Sequence, residues 1–166
     1  RSTLALFAYD YRIRNLVERF REGADFFFRN RGEAEIRGLE IEYASRLPRA
    51  LELQLGASAA RGEDADTGDA LDDIGAPMLH ASLRWAAERA SAFVTASACA
   101  RDDRPGPVEV ERPGYVSVDV GTGWRVLPAL EVRIVVRNLT NADRFGSPDE
   151  TAALAPGRSV MIGINR

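Results

Sequence analysis

The chain has 166 residues, one cysteine and 22 basic against 25 acidic side chains, a formal net charge of −3. That length permits one domain with a core of its own. The acidic balance, with its basic residues spread along the chain, argues against nucleic acid as a partner, and the lone Cys99 excludes an internal disulfide and offers no zinc-type cluster. No apolar run approaches the roughly 18 residues of a membrane helix, and the opening RSTLALFAYD lacks a signal-peptide pattern. A mean hydropathy of −0.23 is nonetheless compatible with a transmembrane β-barrel, whose residues alternate between lipid and lumen.

Alternation runs through the chain from its start. In LALFAYDYRIRNLV the odd positions Ala5, Phe7, Tyr9, Tyr11, Ile13 and Val17 are apolar or aromatic, while Asp10, Arg12 and Arg14 occupy even ones. NRGEAEIR sets Ala34 and Ile36 against Glu33, Glu35 and Arg37, and GLEIEYAS sets Leu39, Ile41 and Tyr43 against Glu40 and Glu42. The parity flip between these two segments predicts a bulge at Gly38. LELQLGASAA opposes Leu51, Leu53, Leu55, Ala57 and Ala59 to Glu52 and Gln54, and MLHASLRWA opposes Leu79, Ala81, Leu83 and Trp85 to His80, Ser82 and Arg84. SAFVTASACAR is small and weakly patterned. YVSVDVGTGW places Val116, Val118 and Val120 opposite Ser117 and Asp119, LEVRIVVRN places Leu130, Val132, Ile134 and Val136 opposite Glu131, Arg133 and Arg137, and RSVMIGIN closes with Val160, Ile162 and Ile164 on one parity. The pattern predicts about eight strands and no helix.

The connections alternate in length. Short ones fall at Leu47 to Ala50, Ala87 to Ala90 and Val126 to Ala129, and long polar ones at Glu18 to Asn30, Arg61 to Pro77, Asp102 to Pro113 and Asn138 to Gly157. Antiparallel hairpins with tight turns at one end and long loops at the other have this rhythm, as outer-membrane barrels do. A soluble sheet with one solvated face also alternates. Burying Arg12, Arg14, Glu40, Glu42, Asp119, Glu131, Arg133 and Arg137 against a second sheet would be costly, however, unless nearly all were paired; a wet lumen accepts them.

The last hairpin carries the most specific pattern. VRNLTNADRF followed by PGRSVMIGI resembles the final hairpin of the TonB-dependent outer-membrane receptors, in which an apolar strand ends in Asn-Leu and Pro-Gly-Arg starts the last strand. LFAYDYRIRNLVE, NRGEAEIRGLEIE, LDDIGAP and PGYVSVDVGTGW resemble that family's preceding segments, in order, so that the resemblance covers essentially the whole chain.

The resemblance implies an all-β fold, an antiparallel up-and-down transmembrane β-barrel segment with about eight strands of a 22-stranded, plugged barrel. Residues 1–166 would be the C-terminal part of that barrel, with the plug domain and the N-terminal barrel strands encoded upstream. The end departs from the family's terminal aromatic, reading Ile164, Asn165, Arg166. The resemblance further implies a place in the cell outer membrane, in contact with its lipid, and a role in energised import. The nutrient is expected to be a ferric siderophore or similar metal chelate, or cobalamin, with the TonB complex as partner through the plug. Arg12, Arg14, Glu40, Glu42, Gln54, Arg84, Asp119, Glu131, Arg133 and Arg137 are then expected to line the lumen, and Asp66, Asp69, Arg104, Arg144 and Phe145 to serve ligand capture in the extracellular loops. A self-contained barrel of about eight strands with a structural or adhesion role is the alternative.

Other motifs read as ordinary. The acidic run GEDADTGDALDD fails the calcium-loop template, since counting from Asp64 the sixth and twelfth places hold Asp69 and Gly75 instead of Gly and Glu. GTGWRV lacks the third glycine of a dinucleotide fingerprint. His80 and Cys99 have no partners at ligand or triad spacing, so neither a metal, a cofactor nor an enzymatic function is expected.

Overall fold

The structure is a computed structural model describing residues 1–147, 149 and 151–165; Arg166 lies outside the described residues. It is a single eight-stranded antiparallel sheet in which every strand pairs with its neighbours in the chain, in the order β1-β2-β3-β4-β5-β6-β7-β8. The strands are β1 Ser2–Glu22, β2 Asp25–Leu47, β3 Leu51–Asp64, β4 Met78–Ala86, β5 Ala90–Cys99, β6 Tyr115–Leu127, β7 Leu130–Arg137 and β8 Ser159–Asn165. β1 and β8 are the two ends of the order and, among the described residues, do not pair with each other. The sheet is therefore open, which a self-contained eight-stranded barrel would not be.

Strand pairing sorts the side chains into two faces, because directly opposed residues share one. One rung runs Leu6, Ile41, Ala57, Leu79, Ala98, Val116 across β1 to β6, and the next runs Leu4, Tyr43, Leu55, Ala81, Ala96, Val118. Val136 with Val160 and Ile134 with Ile162 continue this apolar face onto β7 and β8. Its large side chains are exposed, Leu6 at 63% and Ile162 at 70%, whereas among the described residues the buried apolar side chains are Ala34 and Leu71. A sheet in water would not leave such a surface bare, since exposed apolar patches of this extent mark an interaction with a membrane or a partner.

The tight turns lie where the short connections were expected. Arg49 and Ala50 take the left-handed conformation, with φ of 62° and 57°, between β2 and β3. The long connections hold at three of four positions. Glu18 to Asn30 is not a loop: β1 and β2 continue as a paired ladder, Phe20 opposite Phe27 and Glu22 opposite Asp25. The β-favouring run Phe26–Phe28 keeps the chain extended where its charged neighbours suggested otherwise.

Gly38 is not a bulge. Pairing runs unbroken from Arg14 opposite Glu33 to Ser2 opposite Ser45, and the irregularities lie instead between Arg14 and Val17. There Asn15 adopts φ 59°, and its side-chain oxygen accepts from Asn30 Nδ2 at 3.0 Å. With the register continuous, Asp10, Arg12 and Arg14 stand on the same face as Leu4, Leu6 and Ala8, and Arg37, Glu35 and Glu33 on the same face as Leu39, Ile41 and Tyr43. What changes at Gly38 is the polarity along one face, from apolar to charged, over a single rung. Phe7, Tyr9 and Tyr11 accordingly lie on the face of Glu40 and Glu42, the reverse of the parity expected from sequence.

Candidate functional site

The polar face carries most of the expected set. Glu42, His80 and Ser97 share one rung, Gln54, Ser82, Thr95 and Asp119 another, and Arg84 stands between Glu52 and Phe93. Glu40 opposes Ser58, Arg133 lies between Gly123 and Gly163, Glu131 between Arg125 and Asn165, and Arg137 opposes Ser159. Arg133 donates to Glu131 at 2.9 Å. Arg12 and Arg14 are the exceptions. They occupy the opposite face, paired with Glu35 and Glu33 across the ladder, so they cannot line the same surface as Glu40.

Asp119 has a structural task on this face. Its carboxylate accepts from the Asn138 backbone N–H at 2.8 Å, where β7 leaves the ladder. Asn138 is fully buried and left-handed, φ 49°. Its side chain closes the turn, Oδ1 accepting from Ala142 N at 2.9 Å and Nδ2 donating to Ala142 O at 2.9 Å. Asn141, also left-handed at φ 53°, accepts from Arg158 N at 2.9 Å. The two asparagines thus fasten both ends of the loop between β7 and β8, since Asn tolerates the left-handed region and supplies local side-chain hydrogen bonds.

The three long loops pack on one another and on the extended β1–β2 hairpin. Asp72 Oδ1 accepts from Val108 N at 3.1 Å, while Glu109 accepts from Asp73 N and Gly106 N, each at 2.8 Å. Glu109 forms an isolated bridge with Asp149. Arg19 of β1 donates to Asp149 Oδ2 at 2.5 Å, and Arg112 donates to the Asp149 carbonyl at 2.5 Å. The Arg112 guanidinium also lies 3.9 Å from the centroid of the Phe145 ring, a cation–π arrangement. Between hairpin and loops remains a cleft of about 490 Å³ whose lining includes Glu18, Arg19, Phe28, Asp72, Glu109 and Asp149. Hydrogen bonds from Thr151 and then Arg19 hold the Asp149 carboxyl well below the usual carboxylate range. Burial pushes the Glu109 carboxyl up, against the two backbone hydrogen bonds it accepts.

None of the five residues expected to capture ligand lines this cleft. Asp66 and Asp69 belong to the tight turn after β3, where Asp66 N donates to Asp64 Oδ1 at 2.9 Å and Thr67 Oγ1 donates to Asp69 at 2.9 Å. Arg104 reaches Glu63 at 3.7 Å. The Arg144 carbonyl accepts from Ala155 N at 2.7 Å, and Phe145 bridges Leu154. Of the cleft residues, Asp72 and Asp73 stand out in sequence only as the end of the acidic run, and Glu18, Arg19, Glu109 and Asp149 do not stand out at all, because contacts between distant segments have no period. Among the described residues no group of three His, Cys, Asp or Glu side chains is placed to hold a metal ion.

Residues 1–139 match the family model described as "TonB dependent receptor-like, beta-barrel". The chain belongs to this family. The family fold is that of an outer-membrane barrel, and the apolar face meets lipid accordingly. Solved structures agree along nearly the whole chain, including the final loop and β8 beyond the family match. The "Copper transporter OprC" superposes with a TM-score of 0.82 at 18% identity over 98% of this chain. The ferripyoverdine receptor of the outer membrane of Pseudomonas aeruginosa gives 0.78 at 16% over 99%, and the ferric-catecholate import receptor Fiu from K12 E. coli gives 0.74 at 18% over 99%. The chain spans 28%, 24% and 25% of those three solved chains, respectively. No curated protein matches it.

Proposed function

We propose that this chain is the C-terminal barrel portion of an outer-membrane active transporter that captures a scarce nutrient, a ferric siderophore or similar metal chelate, and imports it with energy from the TonB system. The observation that carries this reading is the cleft held between the β1–β2 hairpin and the three long loops. It is a concave site of ligand size, mixing apolar walls with convergent charged groups, and it rests on a sheet whose family is one of receptors. In this reading Glu40, Glu42, Gln54, Arg84, Glu131, Arg133 and Arg137 line a wet lumen, where their charges cost little, and the plug that couples to TonB lies in the rest of the protein. Capture falls to Arg19, Asp72, Glu109 and Asp149 at the mouth.

The test is a binding titration on the intact receptor with a panel of ferric siderophore complexes and cobalamin. One of them is expected to saturate at a single site and to lose affinity in an Asp149→Ala variant, whose loops are no longer tied to the hairpin. A receptor that binds none of the panel, or whose Asp149→Ala variant binds with unchanged affinity, refutes the role given to the cleft.

A further inference from the structure

The cleft of about 490 Å³ between the β1–β2 hairpin and the long loops has two unlike sides. From the hairpin come the apolar Val17 and Phe28, 61% and 74% exposed. From the loops come Asp72, Asp73, Glu109 and Asp149, and β1 adds Glu18. Among the described residues of the lining the one basic side chain is Arg19, and it is already engaged by Asp149 at 2.5 Å. Arg112 stands outside the lining, taken up by the Asp149 carbonyl and the Phe145 ring. The cleft thus holds more negative charge than its own cation can answer.

The excess is concentrated on the loop side. Glu109 accepts from Asp73 N at 2.8 Å and Asp72 accepts from Val108 N at 3.1 Å, so backbone donors gather three carboxylates in one place. Neutral donors satisfy the oxygens without cancelling their charge. Asp73 is exposed and left-handed, φ 62°, and among the described residues no hydrogen bond or ion pair engages its carboxylate. Burial, reinforced by the charges of Asp72 and Asp73, pushes the Glu109 carboxyl up against its two backbone hydrogen bonds. Such mutual repulsion is relieved by a cation placed among the three. That cation is not a bare metal, since among the described residues no group of His, Cys, Asp and Glu side chains is placed to hold one. A primary ammonium offers three donors on an alkyl stem, and the apolar side of the cleft receives the stem.

We propose that the cleft selects its cargo by charge, taking a metal chelate with a net positive charge on an alkylammonium arm, the ammonium held by Asp72, Asp73 and Glu109 and the arm lying against Val17 and Phe28. The proposal rests on the capture role given to this cleft and adds the class of chelate it accepts. Charge-assisted hydrogen bonds to carboxylates favour the cation. A polyanionic chelate meets like charges at the same wall, and juxtaposed like charges suppress the wrong partner.

Three ferric trihydroxamate probes with one and the same iron coordination test this on the intact receptor in a neutral detergent. One ends in a free primary amine and is cationic, the second is acetylated there and neutral, and the third is succinylated and anionic. In fluorescence titrations the amine probe is expected to bind about tenfold more tightly than the acetylated one, as for a charge-assisted contact, and the succinylated probe more weakly than either. Added salt should narrow the series. Asp72→Asn with Asp73→Asn keeps the Asp72 acceptor for Val108 N and should bring the amine probe down to the affinity of the acetylated probe, whose own binding stays unchanged. If that variant does not reach the heat-modifiable folded form on a gel, Asp73→Asn alone decides, with a smaller loss expected for the amine probe only. Equal binding of the three probes, binding of none of them, or an amine preference that survives the substitutions overturns the proposal. A polyanionic chelate that binds the wild type and is lost in Asp149→Ala would overturn the charge selection and leave the capture role standing.

Discussion

Tyr9 lies across the ladder from Gly38 with its ring over the glycine, so that a Cβ at position 38 would fall inside the ring's van der Waals envelope. Phe93 covers Gly121 in the same way between β5 and β6. On a twisted sheet an aromatic laid over a cross-strand glycine shields the exposed backbone and helps to pin the register. Tyr9 also stacks on Tyr11, ring centroids 5.2 Å apart. Replacing Gly38 by Val should expel the Tyr9 ring and destabilise the intact barrel by about 1–3 kcal/mol. In a Tyr9→Ala background the same substitution should cost far less, and a double-mutant cycle measured by denaturant unfolding reports the difference. Additive costs would mean that the ring and the glycine are energetically independent.

A second expectation concerns the turn that ends β7. Asn138→Ala removes the side-chain bonds to Ala142 and leaves a non-glycine residue without local hydrogen bonding at φ 49°. The two effects together should cost on the order of 2–4 kcal/mol. Asn138→Gly retains the backbone freedom and loses only the bonds, so its cost should be smaller. Thermal unfolding of both variants, with protease sensitivity of the loop between β7 and β8, checks the ordering. Equal destabilisation would exclude a backbone contribution.

Most of the sheet was legible because period-two alternation survives wherever one face is apolar throughout, as in Leu51 to Ala59 and Val116 to Val120. It misled at β1 and β2 because these strands, 21 and 23 residues long, run well past the roughly 9–11 residues that span a bilayer. Along such a strand one face passes from lipid to water, so Leu4, Leu6 and Ala8 give way to Asp10, Arg12 and Arg14 without any change of side. A polarity switch from a change of solvent looks the same in sequence as a parity switch from a bulge. Tyr9 and Tyr11 completed the illusion by placing aromatics on the polar face. The cleft was illegible for another reason: Arg19 and Asp149 are 130 residues apart, and nothing local in either segment encodes their meeting.

The pairing of Arg19 with Asp149 sets a pH dependence. Asp149 has a depressed pKa in the folded protein, so its contribution is complete above the unfolded carboxylate value of about 4 and is lost as pH falls through the lower folded value. The contact between hairpin and loop should therefore be intact from neutral pH down to about 4 and open in stronger acid. Spin labels on the hairpin tip at Ala24 and on the loop at Ser147, in the intact receptor, would show the distance lengthening only below that point. An Asp149→Asn variant should be open at every pH. A wild-type distance that changes between pH 7 and 5 would assign the dependence to a different group.

The last expectation is topological and follows from strand length. β3 has 14 residues and at about 3.4 Å each reaches nearly 50 Å, beyond the roughly 30 Å hydrocarbon core. Its two ends, and the connections built on them, therefore emerge on opposite sides of the membrane. Asp66 lies exposed in the turn following β3, and Glu88 lies exposed in the tight turn between β4 and β5, at the other end of the sheet. In intact cells carrying the full receptor on a Cys99→Ser background, a membrane-impermeant thiol reagent should label Asp66→Cys at once. Glu88→Cys should stay unlabelled until the outer membrane is opened, and both should label afterwards. Ser147→Cys should behave as Asp66→Cys does, since the loop between β7 and β8 packs with the loop after β5 through Glu109 and Asp149. Labelling of Glu88→Cys from outside, with Asp66→Cys protected, would invert the orientation, and the cleft would then face the periplasm, where a receptor has nothing to capture.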